Sequence, residues 1–224
     1  MRVIITGATG MVGEGVLHEC LLDADIEQVL VVTRRATGVQ HPKLREVLLT
    51  NFADPAPVGD ELSGYDACFF CLGVSSIGMS EAEYSRLTYD LTLGFARTLA
   101  HLNPQMTFCY VSGAGTDGTE RGRQMWARVK GRTENALQQL PFRRVYAFRP
   151  GYMHPTPGLK NTLSGYRYFT WAYPALRKLF PGHVSTLQEM AQALINAAKF
   201  GYPKPVLEVK DIVQLAHQQA AEQA

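Results

Sequence analysis

Apolar residues recur along the chain in two rhythms. Short, nearly continuous runs rich in Val, Ile and aromatic residues fall at Arg2–Thr6, Gln28–Thr33, Leu44–Leu49, Ala67–Leu72, Thr107–Ser112, Arg143–Arg149 and Val206–Val209. Runs of that length and make-up predict strands. Between most of them the apolar positions take a helical period, over Met11–Leu22, Glu81–Leu102, Gln124–Leu140 and Leu187–Phe200. Strand and helix therefore alternate as βαβ units require, which predicts an α/β fold with a doubly wound parallel sheet and helices on both faces. The segments VLVVT and FFCLG offer no polar side to water and suit strands buried on both faces. After Arg149 the rhythm breaks into PGYMHPTPG and an aromatic stretch with Tyr166, Tyr168, Phe169, Trp171 and Tyr173. It resumes with a helix, a short strand and a final helix that ends in the polar tail HQQAAEQA. Residues 1–224 are read as one domain, in which 151–185 form a substrate-side loop and helix insertion too short to fold alone.

Composition narrows the class of function. With 224 residues, 46% of them apolar, the chain can bury one sizeable core. Its 22 basic and 20 acidic residues leave a net charge of +2 with no basic stripe, so a nucleic-acid partner is not expected. No apolar stretch approaches membrane-spanning length and no basic region leads into a long apolar run at the start, which points to the cytoplasm without membrane insertion. Cys68 and Cys71 are spaced CxxC, but three positions along a strand point to opposite faces, so these read as separate buried thiols. The six histidines lack metal-ligand spacing, and no metal site is expected.

The first strand runs directly into TGATGMVG, with Gly7, Gly10 and Gly13 three residues apart where the first helix begins. Strand, glycine triplet, helix and second strand in that order form the dinucleotide-binding arrangement of a Rossmann-type sheet. Gly7 and Gly10 keep side chains away from a pyrophosphate held by the helix N-terminus, and Gly13 lets helix and strand pack closely. Thr6, Thr9, Met11 and Val12 complete the loop. The second strand ends in Thr33, Arg34 and Arg35, without the acid that grips the ribose 2′-hydroxyl of NAD. A guanidinium fork instead suits a 2′-phosphate, so NADP(H) is expected ahead of NAD(H); the plainer alternative is two solvated surface arginines.

These features, with CLGVSS, YVSGAG, MWARVKGRTENAL, FRPG and STLQEMAQALI, resemble the atypical short-chain dehydrogenases/reductases over nearly the whole chain. The likeness is to their compact Tat-interacting-protein-like, epimerase-like branch. The resemblance implies a single cofactor-binding domain with Asp54 near the adenine, Leu72 and Gly73 under the cofactor, and Pro150 and Gly151 beside the nicotinamide. Asp54 serves equally well as a loop cap before Pro55.

The family's catalytic Ser, Tyr and Lys are matched only in part. Ser112 falls at the serine and Lys130 at the lysine, but the residue four before Lys130 is Trp126. An indole N–H donates a hydrogen bond yet cannot act as acid or base near neutral pH, so the usual proton relay is expected to be missing. Lys130 either binds the nicotinamide ribose or is a solvated helix lysine, and Ser112 is either a site residue or a strand-end turn residue. Trp126 stacks on a ligand or fills a helix face. Tyr152, just beyond FRPG, is a candidate substitute phenol, and His154 in the same loop a candidate pocket residue. The aromatic run is expected to cover the core, line an apolar pocket or form an interface.

Two functions from different classes follow. One is an NADP(H)-binding oxidoreductase-like protein acting on a small carbonyl or alcohol, altered by Trp126. The other is a non-catalytic NADP(H)-dependent regulatory module that binds a protein partner. A third, nucleotide-sugar epimerase or dehydratase chemistry, needs the Tyr and a larger substrate domain. The chain is expected to be a monomer or a homodimer.

Overall fold

The computed structural model describes residues 1–161 and 173–218. Its main sheet contains seven strands: β1 (Arg2–Thr6), β2 (Gln28–Thr33), β3 (Leu44–Leu48), β4 (Ala67–Phe70), β5 (Thr107–Val111), β6 (Arg144–Arg149) and β9 (Val206–Glu208). Their order across the sheet is β3-β2-β1-β4-β5-β6-β9, and every neighbouring pair is parallel. This is the doubly wound Rossmann-type fold, with strand order reversing between β1 and β4. Ligands of such sheets lie at that switch point, outside the strand carboxyl ends.

Alternate residues of each strand serve two separate cores. Val3, Ile5, Val29, Val31, Ala67 and Phe69 face one side, packed by α1 (Met11–Leu22), α6 (Leu187–Lys199) and α7 (Val209–Ala216). Ile4, Leu30, Val32, Cys68, Phe70 and Phe108 face the other, against α3 (Leu91–Leu102) and α4 (Met125–Leu137). The period of two along a strand, with both faces dry, explains why these strands read as continuous apolar runs. Cys68 joins the second core while Cys71 packs against the first, and both are free thiols. β3, at the sheet edge, is only half-buried.

Several boundaries move from the sequence expectation. The helix expected over 81–102 is one rod in three parts: α2 (Glu81–Ser85), a π-helical turn at Arg86–Asp90, and α3. Because the backbone stays in the right-handed helical region at Ser85 and Leu91, the residue pattern carries no trace of the break. The strand expected over 67–72 stops at Phe70, releasing Cys71 and Leu72 into the loop above β1. The helix expected over 124–140 spans Met125–Leu137. A second, two-stranded parallel sheet pairs β7 (Tyr152–His154) with β8 (Val184–Thr186). Three-residue strands fall below what apolar periodicity detects. In the stretch expected to form an insertion, α5 (Tyr173–Leu179) is tied to α6 by Arg177, whose guanidinium pairs with Glu189 at 2.6 Å. Positions 162–172, which include Tyr166, Tyr168, Phe169 and Trp171 of the aromatic run, lie outside the described residues.

Candidate functional site

The glycine loop follows from contacts that only hydrogen allows. Gly7 has a φ of +71°, and a Cβ there would sit 2.7 Å from the Cys71 carbonyl carbon of the β4 loop. A Cβ on Gly13 would lie 2.1 Å from the Gly7 oxygen, so α1 packs directly onto the turn. Gly10 differs: a Cβ there meets nothing nearer than 3.5 Å, and the residue is exposed. Gly7 and Gly13 thus shape the loop, and Gly10 leaves open space beside the helix end. Gly10 is the N-cap of α1 and no side chain caps that end. The first-turn N–H groups around Met11 and Val12, with the positive end of the helix dipole, are thereby free to hold an anion. Thr6, fully buried at the end of β1, has a hydroxyl with no hydrogen-bond partner among the described residues. The loop therefore fits the diphosphate of a dinucleotide, both in its close approach and in its unspent donors.

A cleft of about 400 Å³ opens beside this loop, bounded by Gly7, Thr9, Val32, Thr33, Arg34, Arg35, Ala36, Phe52, Leu72 and Asn161. The two arginines reach it because β2 ends at Thr33, whose hydroxyl donates to the Arg35 carbonyl at 2.8 Å and turns the chain. Both guanidinium groups are exposed and neither forms an ion pair among the described residues. Among the described residues no carboxylate lines the cleft. Asp54 is not on its wall; it is exposed, and its Oδ1 accepts from the Ala56 N–H at 3.3 Å, the loop-cap alternative. Phe52, two residues earlier, supplies the wall instead, with its ring tilted against Phe95. An aromatic just past an edge strand is the only sequence signal that Phe52 carries.

At the far end of the sheet, β5, α4 and β6 meet in a buried polar network. Glu134, 2% exposed, pairs with Arg149 at 2.5 Å, and Arg149 reaches Glu208 at 3.0 Å. The Ser112 hydroxyl, also buried, donates to Glu134 at 2.5 Å. It is therefore engaged inward, supporting the network. Lys130, one helical turn before Glu134, donates its ammonium to the Ser112 carbonyl. Burial pushes the Lys130 pKa down to about 8, with Glu134 pulling in the opposite direction. A half-buried amine at a strand carboxyl end can donate hydrogen bonds to a ribose, as the resemblance implied.

Trp126 occupies the position one turn before Lys130. Its indole N–H donates to Gln124 at 2.6 Å, and its ring lies 3.5 Å from where a Cβ on Gly115 would be. It is packed over the turn after β5 and satisfied locally. Asp117 organises that turn by accepting from Thr119, Arg121 and Gly122, and these bonds hold its carboxyl down at about 2. Gly131 is needed where α4 crosses it, since a Cβ would be 1.8 Å from the Asp117 oxygen.

The remaining candidates follow β4 and β6. Leu72 lines the cleft, while Gly73 faces open space. The Pro150 carbonyl accepts from the Ala114 N–H at 2.8 Å, joining the β5 and β6 loops. A Cβ on Gly151 would lie 2.3 Å from the His183 oxygen, so this glycine permits the small sheet to form. Tyr152 begins that sheet, its N–H donating to His183. His154 is neither fully exposed nor buried; its ring stacks on Tyr173 at 4.2 Å, and burial lowers its pKa. Among the described residues no cluster could hold a metal ion and no helix is long and apolar enough to cross a membrane.

Residues 3–132 match the NAD dependent epimerase/dehydratase family. Protein fmp52-2, mitochondrial, of Neosartorya fischeri is 25% identical over 94% of this chain and 94% of its own. Leucinostatins biosynthesis cluster protein T of Purpureocillium lilacinum is 30% identical over 62% of this chain, which spans about half, 52%, of that relative. Protein HTATIP2 of Rattus norvegicus is 27% identical over 67% of this chain and 62% of its own. Among solved structures, MoeE5 in complex with UDP-glucuronic acid and NAD superposes with a TM-score of 0.68 at 17% identity, covering 96% of this chain and 81% of that one. The Bordetella bronchiseptica enzyme WbmF in complex with NAD+ gives 0.66 at 18%, covering 96% and 76%. These two share the fold, and the glycine loop at the switch point together with the match over most of the sheet places this chain in the NAD dependent epimerase/dehydratase family, among relatives of the atypical short-chain dehydrogenase type.

Proposed function

We propose that the protein is an NADP(H)-binding, oxidoreductase-like member of its family that acts on a small carbonyl or alcohol without a phenol relay. The observation that carries the cofactor preference is the wall formed by Arg34 and Arg35 next to the glycine loop, with no carboxylate opposite among the described residues. A 2′-phosphate there meets one or two guanidinium forks, whereas the 2′-hydroxyl of NAD(H) finds no acceptor suited to it. The nicotinamide supplies the hydride step, as in any enzyme that uses it.

Around the reacting end, the chain's own groups hold the cofactor in place, and Trp126 supplies no phenol proton. Lys130 orients the ribose from its seat on the Ser112 carbonyl. Ser112, Glu134 and Arg149 keep that seat rigid. Trp126 closes the side of the site over Gly115 but has no proton to exchange near neutral pH. The same Trp126 geometry favours a second reading, in which cofactor occupancy sets a surface for a protein partner and no turnover occurs.

Hydride transfer separates the two. Consumption of NADPH would be followed with a panel of aldehydes and ketones, for the native protein and for Trp126→Tyr. Turnover that rises by about a hundredfold in the variant, the low end of what a positioned acid contributes, supports the oxidoreductase reading. Silence in both supports the regulatory module.

A further inference from the structure

Beyond residue 132, where the family match ends, the chain comes back to the nucleotide cleft once more. After β7, the chain meets the first turn of α1 at Lys160 and Asn161. The Lys160 N–H donates to one oxygen of Glu14 at 2.9 Å and the Asn161 N–H to the other at 2.7 Å. Leu159, between this clasp and the protein interior, packs against the core on the α1 side of the sheet. Asn161 is thereby set on the wall of the cleft, in company with Gly7, Thr9 and Arg34.

The chemistry of the clasp is specific. Glu14 stands in the first turn of α1, where a carboxylate is favoured by the helix dipole. Its two oxygens each accept one N–H, so its charge is spent on the segment and not left facing an incoming phosphate. A glutamine has a single acceptor oxygen and would present its own N–H groups to the second donor.

We propose that Asn161 is a cofactor-contacting residue, held over the cleft by Glu14, whose carboxamide donates to the phosphate-bearing adenosine half of NADP(H). The inference rests on the cofactor reading above and adds to it a ligand from outside the matched family region. Glu14 is the positioning residue: it touches the strap, and the strap touches the nucleotide.

The test uses the full chain and two probes, NADPH and adenosine 2′,5′-bisphosphate, which lacks the nicotinamide half. Asn161→Ala is expected to weaken both by about tenfold, the value of one hydrogen bond to a charged group. Asn161→Asp, which keeps the shape and adds a charge, weakens them further. Glu14→Gln is expected to act through faster dissociation of NADPH, and to add nothing on the Asn161→Ala background, because both act through one contact. Circular dichroism verifies that each variant is folded. Wild-type affinity for both probes in the Asn161 variants overturns the proposal, as does a Glu14→Gln effect that is fully retained without the Asn161 side chain. Native protein that binds neither probe overturns the cofactor reading itself, and the clasp with it.

Discussion

At the scale of single residues, space and charge decide what each position does. Gly13 is the sharpest case: an added methyl would overlap the Gly7 oxygen at 2.1 Å, backbone against backbone, with no flexible side chain to give way. Gly13→Ala is expected to cost about 3 kcal/mol, read as a lowered urea midpoint. An unchanged midpoint would mean that α1 does not pack on the turn. Lys130 supplies the pH signature. Its folded pKa of about 8 is below the 10.5 of an exposed lysine, so between those values the unfolded chain binds more protons than the folded one. This residue's contribution to stability therefore rises with pH across that window, and below it the penalty for a buried charge is fully present. Denaturation from pH 7 to 10 should show a rise that is smaller in Lys130→Met. The glycines and Lys130 were legible because their spacing is dictated by a backbone turn and a helix repeat. Phe52 and Asn161 were not, because nothing local in sequence ties an aromatic past an edge strand, or an amide after a Pro-rich loop, to a cleft formed by β1 and β2.

At the scale of elements, α4 is the part that joins the fold to the proposed chemistry. It carries Trp126, Lys130 and Glu134 on successive turns, with Gly131 beside Lys130 at the crossing over Asp117. The helix itself was legible from its apolar period, but the direction of its polar residues was not. Ser112 is an instance: its strand-end position suits a site residue, yet its hydroxyl is bound to Glu134, a partner 22 residues away that only the packing of α4 on β5 reveals. Glu134→Ala would leave Arg149 and Ser112 facing a buried gap, with Glu208 as the only remaining carboxylate on Arg149 among the described residues. We expect a loss of about 3 to 5 kcal/mol in chemical denaturation, as for other buried pairs broken on one side. A loss below about 1 kcal/mol would match an exposed pair and contradict this placement. The π-helical turn at Arg86–Asp90 and the small β7–β8 sheet escaped the sequence for the opposite reason. Each is too short, or too nearly helical, to change the rhythm of apolar residues.

At the scale of the molecule, one topological fact organises the rest. The sheet order reverses between β1 and β4, and at that crevice the chain gathers the uncapped end of α1, the arginines after β2 and the β4 loop. This much was legible throughout, since strand-helix alternation and a glycine triplet at the first turn are whole-chain signals. The stretch after Arg149 was legible only as a break in pattern, and its return to the cleft at Asn161 appears only in three dimensions. The family and the fold do not choose between NADP(H) and NAD(H); in the proposed function the end of β2 makes that choice. Calorimetric titration with NADPH and NADH, on the native protein and on the double variant Arg34→Ala, Arg35→Ala, addresses that choice directly. The account predicts tighter binding of NADPH, and a double variant in which that preference falls by about a hundredfold, as expected when two charge-assisted contacts are removed, while NADH is little changed. Equal affinity for the two nucleotides in the native protein, or an NADPH preference that persists without both arginines, would contradict it.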